Sequence, residues 1–391
     1  MSESVVIVAA KRSAIGKFGG ALSALSAVEC GAQLLASLLN DLNLKEQVDQ
    51  LIVGNVLSAG LGQNVARQVA MKSGLSQSVP AFTVNQVCGS GLQSVMLAAQ
   101  AIRCGDADCV IAGGVESMSN APFVMNNHRW GQKMGSDTIV DTMVHDGLWD
   151  AFNDYHMGIT AENVAKHYNI SRDEQDAFAL ASQEKASKAQ KEGRFKDEIQ
   201  AIRIKNRKAE ILFSEDEFIR HDASLEALNA LRPVFDKEGS VTAGNASGIN
   251  DGAAFVCVMS ASKASELGLE PLAVVSHASM AANDPAMMGV APILAIQKLL
   301  DAAQLSSSDI DLFEINEAFA SQSIAIQKEL GLDSATINVN GGAIALGHPI
   351  GASGTRILVT LIHEMNNAQA SRAIASLCIG GGQANALLLE R

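Results

Sequence analysis

The sequence predicts an α/β fold made of two similar halves, with a segment of different character inserted into the first. Three observations carry this. A strand, a glycine-rich turn, a helix and a second strand ending in glycines occur in that order twice. The helices between those strands show helical apolar periodicity. The stretch from about Ala121 to Gly248 has fewer strand signals and holds both tryptophans, Trp130 and Trp149, and more than half of the charged residues.

From the N-terminus, the apolar run Val5 to Ala10 reads as a strand, and the Lys11-Arg12 that follows it puts charge on the wrong side for a secretory signal. Gly74-Leu75 then leads into Ala81-Phe-Thr-Val-Asn85 and a glycine-rich turn. Leu92, Val95, Met96, Ala99 and Ile102 trace one helix face, closed by Cys104-Gly105 before the strand Cys109 to Gly114. In the second copy Gly331-Leu332 leads into Ile337-Asn-Val-Asn340, another glycine-rich turn, a helix marked by Ile357, Leu358, Leu361, Ile362 and Met365, and the strand-plus-glycines Ile374 to Gly382. Alternating strands and helices predict parallel sheets covered by helices. The expected boundaries are 1–120 with 249–270 for the first half, 121–248 for the insertion and 271–391 for the second half. Sites of open α/β sheets lie at the carboxyl ends of strands, so an insertion there is placed to build a substrate pocket.

Composition excludes several classes. An apolar fraction of 48% with 18% charged residues is that of a compact globular chain. A net charge of −13 lacks the cationic footprint of a nucleic-acid binder. Between Lys185 and Arg220, however, ten Lys or Arg face seven acids, either a solvated helix face or a dock for a polyanionic small molecule. Six cysteines at irregular spacing argue against a disulfide framework and for reduced thiols. The longest apolar stretches, Pro285 to Gln297 and Gly341 to Thr355, read as too short or too rich in Gly and Pro to span a bilayer, and the protein reads as cytoplasmic. Zinc spacing, a phosphate loop and a dinucleotide fingerprint are all missing, so no metal or nicotinamide cofactor is expected.

Four positions carry chemistry. In Asn85-Gln-Val-Cys88-Gly-Ser-Gly91 a cysteine sits between a strand and a helix N-terminus, where free N–H groups favour a thiolate; an inert buried cysteine is the alternative. His348 lies in the constrained loop Gly341 to Gly354, which suits the fixed imidazole of a general base, a cap or a phosphate contact. Cys378 ends a strand beside Gly380-Gly-Gly382, whose backbone N–H groups could face an oxyanion; alone it would read as structural. Asn316 follows the strand Leu312 to Ile315 and would ordinarily cap the next helix. Cys30, Cys104, Cys109 and Cys257 have no such setting.

Asn85 to Gly91, Gly113-Gly-Val-Glu-Ser-Met118, Asn316-Glu-Ala-Phe319, Asn338 onward to Gly354, and Cys378-Ile-Gly-Gly-Gly382 together resemble the thiolase family, in order and over essentially the whole chain. The resemblance implies a five-layered αβαβα fold of two duplicated halves, a loop domain inserted in the first for CoA binding and oligomerisation, and a homotetramer built from tight dimers. It implies that Cys88 carries the acyl group and that His348 activates Cys88. His348 and a water held by Asn316 would form one oxyanion hole, and the N–H groups of Cys88 and Gly380 the other. Cys378 would move the α-proton of the second acyl-CoA. Coenzyme A thioesters are then substrates (acetyl-CoA, acetoacetyl-CoA and CoA), with no cofactor, nucleic acid or membrane required.

Tyr155-His156-Met157-Gly158, Arg220-His221, Leu231-Arg-Pro233 and Thr242 to Ser247 resemble the biosynthetic acetoacetyl-CoA members of the family more than the degradative ones. That likeness implies CoA contacts at His156, Arg220 and Ser247, and a pantetheine and acyl pocket lined by Met157, Phe235, Ala318 and Phe319, with Leu148 and Ala243 among the binding residues. The nearest alternative is a degradative 3-ketoacyl-CoA thiolase acting on longer chains. A ketoacyl synthase would use histidine or asparagine where this chain has Cys378, and a silent CoA- or lipid-binding protein would leave the filled catalytic positions without purpose.

Overall fold

The computed structural model describes residues 3–205 and 210–391; Arg207 and Lys208 of the basic segment lie outside the described residues. Nine strands form one continuous sheet: β1 (Val5–Arg12), β2 (Gln50–Gly54), β3 (Ala81–Val84), β4 (Cys109–Ser117), β5 (Asn250–Ser260), β6 (Ala273–Ala282), β7 (Leu312–Ile315), β8 (Arg372–Ile379) and β9 (Gln383–Glu390). Their order is β7-β8-β9-β6-β1-β5-β4-β2-β3, with the two-residue strand Gly16–Lys17 added on β5. The duplication is visible in this order. In the first half β2 pairs parallel with β3 and β4, β4 antiparallel with β5, and β5 antiparallel with β1. In the second, β7 pairs parallel with β8, β8 antiparallel with β9, and β9 antiparallel with β6. An antiparallel contact between β1 and β6, Val6 opposite Val274, joins the two.

Two expectations are corrected here. The sheets are mixed rather than parallel: β8 returns directly into β9 through the Gly380–Gly382 turn, and the 121–248 insertion lets β5 re-enter antiparallel beside β4. The strand expected at Ile337 to Asn340 survives only as a single parallel bridge, Phe313 to Ile337, because the chain then turns through Asn338 (φ +44°) and Gly341 (φ +79°).

Alternation along the strands fills three layers of apolar packing. Ala254, Val256 and Val258 of β5 face a central core, while Phe255, Cys257 and Met259 face an outer one. The central core is built on α3 (Ser90–Cys104) and α8 (Ile350–Ala368), contacted by strands from both halves. α1 (Ala27–Asp41) and α2 (Val65–Ser73) cover the outside of the first half, and α6 (Ala291–Ala303) and α7 (Ala320–Leu330) the outside of the second. This gives helix, sheet, helix, sheet, helix. The one-faced pattern read for the second-half helix understates its burial: enclosed between the sheets, α8 also buries Ser353, Thr355, Arg356, Thr360 and Glu364. The apolar stretch beginning at Pro285 is also longer than it reads. Pro285–Ala303 is a 3-10 turn, kinked at Met287, that runs into α6, and together they meet the length and composition of a bilayer span, but Ala291, Ile293, Ala295, Ile296, Leu299 and Leu300 are buried in the outer layer.

The inserted segment contributes α4 (Met157–His167), α5 (Arg172–Lys191) and short hairpins. Its basic stretch is largely occupied: Lys185 donates to the Ile337 carbonyl (2.9 Å), Arg194 to Glu364 (2.7 Å) and Arg203 to Glu210 (3.3 Å).

At Gly91 and Gly354 the central helices meet backbone to backbone. A Cβ on Gly354 would lie 2.3 Å from Leu92 N, and one on Gly91 would lie 2.8 Å from Thr355 N, while the Thr355 hydroxyl donates to the Gly91 carbonyl at 2.8 Å. Gly354→Ala is therefore expected to force α3 and α8 apart and to lower the urea midpoint by the equivalent of about 1–3 kcal/mol, the usual range for overpacking a core. An unchanged midpoint would mean the crossing tolerates separation.

Candidate active site

A cavity of about 940 Å³ opens where the carboxyl ends of the strands meet the inserted segment. Its lining includes Cys88, His348, Cys378 and Gly380, together with Leu148, His156, Met157, Arg220, Phe235, Ala243, Ser247, Ala318 and Phe319. Of the sequence-predicted site residues only Asn316 lies outside this lining. It is fully buried behind it, its Nδ2 3.5 Å from His348 Nδ1, and it does not cap α7, which begins at Ala320.

Cys88 is held by a strained turn. Val87 takes φ +47°, a conformation a β-branched residue rarely adopts. The turn is fixed by Val87 N–H to Asn85 Oδ1 (2.9 Å), Gln86 N–H to Ser90 Oγ (2.9 Å) and the Ser90 hydroxyl to the Val87 carbonyl (2.6 Å). α3 starts immediately afterwards. The expected thiolate is not favoured at rest: burial pushes the Cys88 thiol up to about 11, while hydrogen bonds from the backbone N–H groups of Gly380 and of Cys88 itself pull it down and the Glu116 charge pushes it further up. Desolvation outweighs the helix terminus. Those two N–H groups lie beside the sulfur, on the side where the oxygen of an acyl group carried on it would need donors.

His348 is buried, and its ring is set by the first turn of α8. Its Nδ1 lies 2.6 Å from Ser353 Oγ, its backbone N–H donates to Asn250 Oδ1 (2.9 Å), and Nε2 has no hydrogen-bond partner among the described residues. Burial, helped by the Arg356 charge, lowers its pKa to about 3, so the imidazole is neutral. Cys378, at the end of β8, packs with Met157, Met288, Ala318 and Phe319, and burial together with neighbouring Cys88 pushes its thiol far above the ordinary range.

The outer walls come from the insertion. His156 caps α4 by accepting the Gly158 N–H on Nδ1 (3.0 Å), which leaves its proton on Nε2, and it stacks on Phe235 with ring centroids 4.5 Å apart. Phe235 meets Phe319 edge-on at 6.5 Å. Gly158 admits the Phe235 ring, since a Cβ there would lie 2.1 Å from it. The segment with Ala243 and Ser247 is laced to the second half by Ser247 N–H to the Ala318 carbonyl and Ala320 N–H to the Asn245 carbonyl, both 2.9 Å. Arg220 reaches the Ala243 carbonyl at 3.3 Å and lies over Phe218. Among the described residues no group of three or more His, Cys, Asp or Glu is placed to hold a metal.

Several contributors were not singled out in the sequence. Met118, Phe218, Met288 and Ile350 line the cavity. Glu116 lies behind it, inside the matched stretch Gly113 to Met118. Its Oε1 accepts from Asn55 Nδ2 (2.8 Å) and Leu57 N (3.2 Å), and its Oε2 from Val56 N (3.1 Å) and Gly351 N (2.8 Å). It therefore ties the end of β4 and the loop after β2 to the first turn of α8. Burial, helped by the Asp251 charge, still raises its pKa to about 7 against the backbone donors Leu57, Val56 and Gly351.

Two outcomes follow from this geometry. With the Cys88 pKa raised, the thiolate fraction at neutral pH is smaller than that of a free cysteine. Carbamidomethylation of Cys88 by iodoacetamide, followed by peptide mass spectrometry, should accelerate about tenfold per pH unit from about pH 7 to pH 10; a plateau near neutrality would reveal a resting thiolate. Glu116→Gln must turn its NH₂ toward one of the two donor pairs, and a urea titration should show a loss of roughly 1–3 kcal/mol.

Residues 5–262 match the family described as thiolase, N-terminal domain, and residues 269–391 match thiolase, C-terminal domain. The chain is 57% identical over 393 residues to the acetyl-CoA acetyltransferase of Allochromatium vinosum and 57% identical over 391 residues to that of Pseudomonas aeruginosa, covering 100% of both chains in each case. The crystal structure of the Bacillus anthracis acetyl-CoA acetyltransferase superposes with a TM-score of 0.98 at 45% identity, over 100% of this chain and 99% of that one.

Proposed function

The chain belongs to the thiolase family, and from that premise we propose that it is an acetyl-CoA acetyltransferase. It joins two acetyl-CoA into acetoacetyl-CoA and CoA, and runs the reverse thiolysis, through an acetyl group carried on Cys88. The observation that carries this reading is the convergence of Cys88 from one half with His348, Cys378 and Gly380 from the other on a single cavity.

The protonation states give the steps an order. At rest both thiols are protonated and His348 is neutral. His348 Nε2 takes the Cys88 proton as the sulfur attacks the thioester carbonyl. The departing CoA thiolate takes the proton of Cys378, leaving a thiolate whose high proton affinity suits it to remove an α-proton from the second acetyl-CoA. The imidazolium of His348, with Asn316 behind it, faces the oxygen of that second thioester while the carbanion forms. The carbanion attacks acetyl-Cys88, the N–H groups of Cys88 and Gly380 hold the oxyanion, and the expelled Cys88 thiolate recovers its proton from His348. Two thiols are needed because one carries the acyl group while the other moves a proton.

The CoA chain is placed along the wall formed by His156, Met157, Leu148, Phe235, Ala243, Ser247, Ala318 and Phe319, with Arg220 at the outer end, and no further cofactor enters the scheme. Assembly as a homotetramer belongs to the same proposal. It is supported by exposed Phe123, Trp130, Met134 and Ile139 in the inserted segment, apolar surface that a partner would cover.

The deciding experiment follows CoA-dependent loss of acetoacetyl-CoA absorbance beside a long-chain 3-ketoacyl-CoA. Fast thiolysis of the short substrate alone is expected; equal or better turnover of the long one would move the chain to the degradative branch. Cys88→Ser should eliminate the acetyl-enzyme detected by mass spectrometry after acetyl-CoA is added, and acetylation at the wild-type rate would remove Cys88 from its role.

A further inference from the structure

His348 can act as a base only if its proton sits on Nδ1, leaving the Nε2 lone pair free, and the surroundings of the ring decide this. Ser353, fully buried in the first turn of α8, places Oγ 2.6 Å from Nδ1 and 2.9 Å from the Pro349 carbonyl. A serine hydroxyl has one proton to give. If it is given to the Pro349 carbonyl, the back-bond common for serine in a helix, Oγ is left as an acceptor and Nδ1 must carry the proton. The carbonyl also takes the N–H groups of Ala352 and Ser353, both at 2.9 Å, so it is crowded. The opposite assignment is worse. With the serine proton on Nδ1, the imidazole proton moves to Nε2, which has no acceptor among the described residues, and a buried orphan N–H is among the rarest and costliest defects in a native structure. Asn316 Nδ2, 3.5 Å from Nδ1, is too distant to settle the choice.

We infer that Ser353 is a positioning residue that fixes the tautomer of His348, holding the proton on Nδ1 and keeping the Nε2 lone pair available to the Cys88 thiol. This rests on the reading of His348 as the base. Ser353 thereby does for this imidazole what a carboxylate does in other nucleophile–histidine sites, without adding a negative charge beside two thiols that must at times be anionic.

A neutron structure of the full-length enzyme should show deuterium on His348 Nδ1 directed at Ser353 Oγ, and the Ser353 deuterium directed at the Pro349 carbonyl. Deuterium on Nε2 overturns the inference, whatever the variants do. Ser353→Ala should lower kcat for acetoacetyl-CoA thiolysis by about 10- to 100-fold, at or below the lower end of a general base's contribution, with KM essentially unchanged and a modest fall in melting temperature because the ring N–H loses its acceptor, and Ser353→Thr should recover most of both losses by restoring the hydroxyl. A wild-type kcat in Ser353→Ala, or a loss matched by a fall in melting temperature that threonine does not rescue, assigns Ser353 to packing instead. Full activity in His348→Ala would sink the base reading itself, and the neutron result would still report the tautomer, so the two failures are distinguishable.

Discussion

Glycine at positions 91, 114, 351 and 354 lets two helices and a strand approach backbone to backbone, and the rest of the site depends on that approach. A Cβ on Gly114 would lie 2.1 Å from the Gly351 carbonyl oxygen, and the Gly91 and Gly354 contacts are nearly as close. The central helices come from different halves, and each begins directly after a chemically competent residue: Cys88 before α3 and His348 before α8. Bringing the helix starts together brings Cys88 and His348 to one cavity. Glu116 reinforces the junction by giving the first turn of α8 an acceptor that belongs to the other half. The glycines thus set the geometry of the cavity as well as packing, because separating the helices would also separate the Cys88 thiol from the His348 imidazole.

A second constraint holds the insertion over this core. Arg12, at the end of β1 and fully buried, donates to Glu198 (2.6 Å) and grips Asp216 with two nitrogens (2.7 and 2.9 Å), and Phe195 lies against its guanidinium. Asp216 also accepts the Ile15 N–H at 2.8 Å. Immediately beyond Asp216 the chain enters the cavity wall, running through Glu217, Phe218, Ile219 and Arg220. Breaking a buried charge cluster by removing one partner typically costs about 3–5 kcal/mol, far more than replacing the whole cluster, so Arg12 acts chiefly to fix one register of the insertion against the sheet. The outer wall is thereby referenced to β1, a strand in the middle of the sheet.

The chemistry was legible in the sequence because it sits where local rules speak loudly. Cys88 and His348 occupy turns crowded with glycine, where an ordinary packing role has little need of a reactive side chain, whereas Cys378 alone reads as structural and is singled out by the family resemblance. The duplication was legible for the same reason: its two copies share turn chemistry. What escaped was non-local. β1 and β5 are neighbours separated by more than two hundred residues, so nothing in either segment announces an antiparallel partner. Asn338 and Gly341 bend the chain out of a strand that its apolar residues alone would support. Ser353 and Glu116 look like any serine in a helix or acid after a strand, and their importance lies in what faces them. The basic segment, read as a solvated face or a dock, is divided: Lys185, Arg194 and Arg203 bind carbonyls and carboxylates of this chain, and Arg220 lines the cavity.

The strand order has a consequence for how the chain is made. β1 emerges first from the ribosome, yet both of its neighbours in the sheet, β5 and β6, begin at residues 250 and 273. Until well over half the chain has been synthesised, the apolar run Val5 to Ala10 has no edge to pair with and no second layer to cover it. β2, β3 and β4, by contrast, can assemble with α1, α2 and α3 as soon as they appear. Non-local pairing of this kind is slow and leaves strand edges exposed to association with other chains. Early synthesis is therefore the period when this protein is most vulnerable to aggregation, and the arrival of β5 closes it.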